Sequence, residues 1–238
     1  MEMILKKLNG DSSWLWSYQG QHWLIDPWLM DAQVDLAPWF SKQHHVDTLF
    51  PIEDLPKLSG IFISLPFTDH CHQQTLERLP NDVPIYASKT ILTKIKKWNL
   101  KNPLQPLSEF PYPVVQLKPK SPLDLVHYGY QFEFDHHRLF YAPHGYQCKN
   151  SEKIQSNLLI TTQTDYQLPF WLGGKINLGL HAALKLANQI GATLIFATHD
   201  EQKLEQGLVS KFSRKKYAND PRLIALPVGE TYALNPMP

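Results

Sequence analysis

Hydrophobic and polar positions along the chain change period several times, and each change marks an element. Segments 13–18 (SWLWSY) and 22–25 (HWLI) flank Gln19-Gly20-Gln21, which predicts a hairpin turned by glycine. Asp26-Pro27 ends the second strand, because proline has no N–H for a ladder. Residues 29–58 carry Pro38, Pro51, Pro56 and the run Ser41-Lys42-Gln43-His44-His45. The expectation there is a long surface excursion, with the paired histidines in a solvated loop. The run 60–64 (GIFIS) is short, continuous and apolar, as buried strands are. A helix is predicted over 73–79, capped by Thr68 or Asp69 and ended by Pro80. A strand over 83–87 follows, then an amphipathic helix behind Ser88, with apolar positions 91, 92, 95 and 98 at helical spacing.

Prolines 103, 106, 111, 113, 119 and 122 make 102–123 edge strand and loop. Strands are predicted near 125–134 and 138–142, with a hairpin tip at Asp135-His136-His137. Another strand covers 158–162. A helix over 177–190 stops before Gly191, as a C-cap requires, and a strand covers 193–197. Segments 222–226 and 230–234 read as a strand pair around Pro227-Val228-Gly229. Trp14, Trp16 and Trp23 alternate on strands, so they are expected to divide between core and rim. No repeat or low-complexity linker is visible. The pattern predicts one domain over 1–238, of mixed α/β (α+β) class.

Composition narrows the function. Of 238 residues, 43% are hydrophobic and 19% charged, a balance that supports a core and argues against disorder. A net charge of +1 from 23 basic and 22 acidic residues argues against a nucleic-acid partner. No apolar run is long enough to span a membrane. The opening residues lack the basic, apolar and cleavage regions of a signal peptide, so a cytoplasmic location is expected. Two cysteines, Cys71 and Cys148, exclude a disulfide scaffold and a four-cysteine zinc module. They are left as ordinary reduced thiols, a metal thiolate or a redox pair.

Three histidine-bearing segments share one property: each lies where an apolar strand stops. Asp69-His70-Cys71-His72 follows the strand at 60–64, His144 the strand at 138–142, and His199 the strand at 193–197. Strand ends of layered folds open into common crevices. Neutral imidazoles and a carboxylate are donors that zinc, iron(II) or manganese(II) accept. Two further motifs lie outside this set. Trp171-Leu172-Gly173-Gly174-Lys175 reads as a loop that could border a crevice or meet a phosphate. Lys211-Phe212-Ser213-Arg214-Lys215-Lys216-Tyr217 is a basic run with interleaved aromatics, either a solvated face or a contact for an anion.

The run Ile63-Ser64-Leu65-Pro66-Phe67-Thr68-Asp69-His70-Cys71 resembles the metal motif of the metallo-β-lactamase-fold hydrolases, a buried strand followed by His-x-His-x-Asp-His. Leu24-Ile25-Asp26-Pro27-Trp28, Phe140-Tyr141-Ala142-Pro143-His144-Gly145, Ala197-Thr198-His199-Asp200 and Pro227-Val228-Gly229-Glu230 match further landmarks in order. The resemblance covers about 13 to 234. It implies a four-layer αββα sandwich and a metal-dependent hydrolase acting on a small-molecule ester, lactone or phosphoester. Leu65 and Phe67 replace the two leading histidines. With His127 the single candidate for the third ligand of a first metal, that site is expected to be lost. The second site is implied intact, with Asp69, His70, His144 and His199 as ligands of one ion, zinc in the first instance. Asp26 would orient the motif from behind. Asp69 or His72 would carry the catalytic proton, and His72 is also open as a ligand. The alternative is a member that lost catalysis and binds a ligand or metal.

Overall fold

The computed structural model describes residues 2–30, 32–121, 124 and 127–235. The chain forms two compact units. The first holds 1–33, 44–111 and 226–238; the second holds 34–43 and 112–225.

The first unit is built on a seven-stranded sheet. In chain order its strands are β1 (Met3–Lys7), β2 (Trp14–Tyr18), β3 (Gln21–Ile25), β6 (Gly60–Ile63), β7 (Ile85–Ala87), β8 (Leu104–Pro106) and β19 (Thr231–Leu234). Their order across the sheet is β19-β1-β2-β3-β6-β7-β8. β1, β2 and β3 form an antiparallel meander, after which β3, β6, β7 and β8 run parallel. The predicted hairpin is present, with Tyr18 opposite Gln21. Gln19 and Gly20 both have positive φ (53° and 72°), the geometry of a two-residue hairpin turn. Helices α1 (Gln73–Arg78) and α2 (Lys89–Lys96) make the parallel crossovers. Period two along the strands sends Leu15, Leu24, Ile61, Ile63 and Ile85 to one face. They pack there with Leu76 of α1 and Ile91 and Ile95 of α2.

The opposite face is aromatic. Trp14, Trp16 and Trp23 are all buried, so the expected division between core and rim does not occur. Trp23, Phe62 and Tyr86 surround Phe110 at ring-centroid distances of 4.8, 5.8 and 5.2 Å. Gly60 exists for this cluster, because a Cβ there would lie 2.6 Å from Trp23 Cζ3 and 2.9 Å from Tyr86 Cε2.

The second unit repeats the plan, although no repeat is visible in the sequence. Its six-stranded sheet holds β9 (Val114–Leu117), β10 (Gly129–Phe134), β11 (His137–Ala142), β12 (Leu158–Thr161), β15 (Leu194–Ala197) and β18 (Leu223–Ile224). The order is β18-β15-β12-β11-β10-β9, a three-strand antiparallel meander followed by parallel strands. Helix α3 (Gly179–Ile190) buries Ala183, Leu186, Ala187 and Ile190 against Phe140, Leu159 and Ile195. It ends at Gly191 in the left-handed conformation (φ 74°), as predicted. Two small sheets complete the unit. One contains β13 (Asp165–Gln167), β14 (Lys175–Leu178) and β17 (Arg214–Lys216). The other contains β4 (Gln33–Asp35), β5 (Ser41–His44) and β16 (Leu204–Gln206), followed by helix α4 (Leu208–Phe212). No described helix is long and apolar enough to cross a membrane.

The mixed α/β class therefore stands, and several local expectations change. Residues 29–58 contain two short strands, and His45 lies against the Trp28 ring at 3.7 Å instead of in solvent. β18 and β19 do not pair with each other: β18 joins β15 and β19 joins β1. The cap of α1 is His72, not Thr68 or Asp69, and its side chain accepts no bond from the helix's first backbone N–H groups. The proline-rich stretch supplies edge strands β8 and β9, as expected. Residues 122, 123, 125 and 126, the start of a predicted strand among them, lie outside the described residues.

Two predictions follow from this packing. Gly60→Ala should lower stability by about 1–3 kcal/mol through overpacking, read as a lower urea midpoint at unchanged m-value. Cys71 and Cys148 are buried free thiols, both pushed up to about 12 by burial. Native protein at pH 8 should therefore resist iodoacetamide, while both thiols should alkylate readily once unfolded.

Candidate metal centre

The first unit places Asp26 at the end of β3 and Ser64-Leu65 just past the end of β6. Asp26 is fully buried and adopts a left-handed backbone (φ 45°), a strained state for a residue with a Cβ. Bonds on every side hold it there. Its N–H donates to the Phe62 carbonyl (2.9 Å), and its own carbonyl accepts from Ser13 Oγ (2.8 Å). Its carboxylate accepts from the Ser64 N–H (2.7 Å) and the Ser64 hydroxyl, and pairs with His70 Nδ1 (2.8 Å). A buried carboxylate is tolerated only when it is met in this way.

The turn 67–71 presents the motif. The Phe67 carbonyl accepts from the N–H groups of His70 (3.1 Å) and Cys71 (2.7 Å). The Asp69 carbonyl accepts from Ser12 Oγ (2.8 Å). With Nδ1 turned to Asp26, His70 directs Nε2 toward Asp69, 3.7 Å from Oδ2. Burial alone would disfavour the His70 imidazolium, but Asp69 and Asp26 outweigh it and hold its pKa above the usual histidine value. Leu65 is buried and Phe67 partly exposed, so hydrocarbon occupies the positions of the two absent histidines. His72 is buried, with Nδ1 against Thr75 Oγ1 (2.9 Å), and that hydroxyl also accepts from the Leu29 N–H (3.0 Å). Its Nδ1 is thus committed to the helix start.

The second unit uses two more strand ends. His144 follows β11, and its Nδ1 meets Asn177 Oδ1 at 2.7 Å. The Asn177 amide nitrogen donates to the His199 carbonyl (3.5 Å), so the oxygen is the atom that faces His144. His144 Nδ1 therefore carries the hydrogen, and its lone pair lies on Nε2. His199 follows β15 in a left-handed conformation (φ 59°), its ring 4.5 Å from that of His144 and nearly perpendicular (86°). Its neighbour Asp200 accepts from Thr162 Oγ1 (2.7 Å) and the N–H groups of Gln163 (3.0 Å) and Thr164 (2.8 Å). That clamp ties the ends of β12 and β15 together. His127 stacks on Tyr146 (4.1 Å, 4°), lies 4.9 Å from the His144 ring and pairs through Nδ1 with Asp124 (3.0 Å).

Among the described residues, Asp69, His70, His144 and His199 make up a group of metal-ligand composition. Asp26, His72 and His127 are not in it. Sequence reasoning missed the supporting residues Asn177, Ser64 and the buried run Asn9 to Ser13. The Asn9 amide oxygen accepts from the N–H groups of Asp11 (3.0 Å) and Ser13 (2.9 Å), and its nitrogen donates to the Trp28 carbonyl (2.9 Å). The available signal was polarity itself: Asn9-Gly10-Asp11-Ser12-Ser13 is a polar run between two apolar strands.

A family model described as a beta-lactamase superfamily domain matches residues 7–199. Several solved structures share the fold. An isothiocyanate hydrolase from Delia radicum gut bacteria is 17% identical, with a TM-score of 0.72 over 97% of this chain and 98% of that one. A possible metal-dependent hydrolase from Veillonella parvula is 13% identical, with a TM-score of 0.72 over 98% and 100%. CmlA, a diiron beta-hydroxylase from Streptomyces venezuelae, is 14% identical, with a TM-score of 0.59 over 83% of this chain and 44% of its own. No curated protein matches the sequence significantly. A match that runs from the end of β1 to His199 is a family match: the chain belongs to the beta-lactamase superfamily and has the metallo-β-lactamase fold of metal-dependent hydrolases.

Proposed function

We propose that the protein is a single-metal hydrolase whose ion, zinc in the first instance, is held by Asp69, His70, His144 and His199. One observation carries the reading: the four residues together offer one carboxylate and three imidazoles, each with one ligand atom for an ion. The donor chemistry fits. One carboxylate and three imidazoles suit zinc, iron(II) or manganese(II). Two of the imidazoles have Nδ1 fixed, by Asp26 and by Asn177, which leaves Nε2 for the ion. Leu65 and Phe67 offer no donor for a second ion. A divalent ion bound there supplies a Lewis acid and lowers the pKa of an adjacent water.

The chain's own side chains do the remaining work. Asp26 and Asn177 hold the ligands' tautomers, so no reorganisation is required when charge develops. Asp69 Oδ or His72 Nε2 takes the proton from the attacking water and returns it to the leaving group. A single ion cannot clamp both the attacking and the leaving oxygen of an in-line phosphoryl displacement. That favours an ester or lactone over a phosphodiester. An isothiocyanate joins the substrate panel because a structurally similar hydrolase bears that name. Leu65 and Phe67 motivate the rival reading, a fold kept for binding after catalysis was lost.

Protein purified without chelator or histidine tag should contain about one equivalent of metal by elemental analysis. The Asp69→Ala/His199→Ala double variant should contain none. Absence of metal from the wild type, even after soaking, would sink the hydrolase reading. Metal without turnover of any panel substrate would favour the binder. Asn177→Ala frees the His144 tautomer and should weaken metal affinity about 10–100-fold. A competitive chelator titration reads that loss, with thermal melting alongside to show that the fold persists.

A further inference from the structure

We propose that one face of the second unit docks on an anionic lipid surface. Segments 36–42, 168–175 and 207–217 build it, and α4 joins them. At the start of α4, the N–H groups of Leu208 and Val209 donate to the carbonyls of Trp39 and Phe40, each at 2.9 Å. At its end, the Phe212 ring meets Trp171 at 5.3 Å and 72°. β17 then pairs with β13, bringing Arg214 opposite Gln167.

This face leaves large apolar side chains in water. Phe170 is 94% exposed, Leu36 86%, Trp39 71%, Trp171 64% and Phe212 43%. Single exposed apolar residues are ordinary, but several on one connected face mark an interaction surface. Phe170 and Trp171 stand on a short 3-10 turn that Gly173 and Gly174 close with positive φ (119° and 75°). That turn lifts the aromatic pair clear of the sheet.

Charge selects the partner. The three segments contain Lys42, Lys175, Lys211, Arg214, Lys215 and Lys216 and no aspartate or glutamate. Lys175 and Lys215 pair with Asp165 and Glu205, which lie outside the segments. Lys211 and Arg214 pair with no carboxylate among the described residues. Together with Gln167, Phe212 and Ser213 they line a cavity of about 370 Å3, room for an anionic headgroup. Aromatic and leucine tips beside unpaired cations are the composition of an interfacial membrane surface. A nucleic acid is also anionic and stacks on aromatics, but Leu36 offers no ring to stack on, whereas hydrocarbon accepts it. A second copy laid on this face would bring cations against cations.

The test is cosedimentation of the whole protein with phosphatidylcholine vesicles and with equimolar phosphatidylcholine–phosphatidylglycerol vesicles, at low and high salt. Binding is expected to the anionic vesicles alone and to weaken with salt. Phe170→Ser/Trp171→Ser and Lys211→Glu/Arg214→Glu should each weaken it about tenfold or more. All four positions are at the surface, so circular dichroism and the melting temperature should stay unchanged. Equal binding to both vesicle types, binding that survives both pairs of substitutions, or no vesicle binding would overturn the proposal. Capture of a single-stranded oligonucleotide without vesicle binding would do the same. So would a dimer in sedimentation velocity that Trp171→Ser dissociates.

Discussion

A carboxylate without solvent must be met by donors, and in the first unit that requirement organises everything near the metal motif. Asp26 is completely buried. Its oxygens join the end of β3 to Ser64 just past β6, and to His70 in the turn that follows. The left-handed backbone at Asp26 costs conformational energy, which these bonds and the Ser13 contact to its carbonyl offset. Removing the carboxylate would take a hydrogen-bond partner from a buried N–H, a hydroxyl and an imidazole together. The buried run from Asn9 to Ser13 acts at one remove, fixing the segment that carries Asp26 and, through Ser12, the Asp69 carbonyl.

The second unit solves the same problem without a buried carboxylate behind its histidine. Asn177 sets the tautomer of His144 and reaches the His199 carbonyl with its other end. One neutral amide thereby orients the His144 imidazole and holds the His199 backbone at less desolvation cost than an ionised group would incur. His199, like Asp26, has a left-handed backbone just past a parallel strand. In both units the candidate ligands sit past the ends of strands in the part of the sheet where a meander gives way to parallel pairing. At such ends the ladder no longer consumes backbone and side-chain directions.

Much of this was legible beforehand where local physics decides. The hairpin at Gln19-Gly20, the buried strand at 60–63, the α3 helix with its Gly191 cap and the edge placement of the proline-rich stretch all show in the residue types of a short window. The misjudged elements depend on distant partners. Trp14, Trp16 and Trp23 alternate as a half-exposed strand would, but their sheet is covered on both faces. β18 and β19 sit on either side of a Pro-Val-Gly turn yet join different sheets, β18 along the edge offered by β15 and β19 along the edge offered by β1. Asp69 has the composition of a helix cap, but its carbonyl and turn geometry are already committed to Ser12 and Phe67.

The sequence by itself determined the chemistry on offer: an Asp-His pair, two more histidines at strand ends, leucine and phenylalanine where donors would stand, and a neutral charge balance. These are properties of residue identity and of short-range periodicity. Tertiary structure alone decided which nitrogen of each histidine is presented and which polar residues stand behind it. It also decided that basic and aromatic residues from three separate segments share one surface. Each of those outcomes is a pairing between residues far apart in the chain, and local propensity carries no information about such pairings.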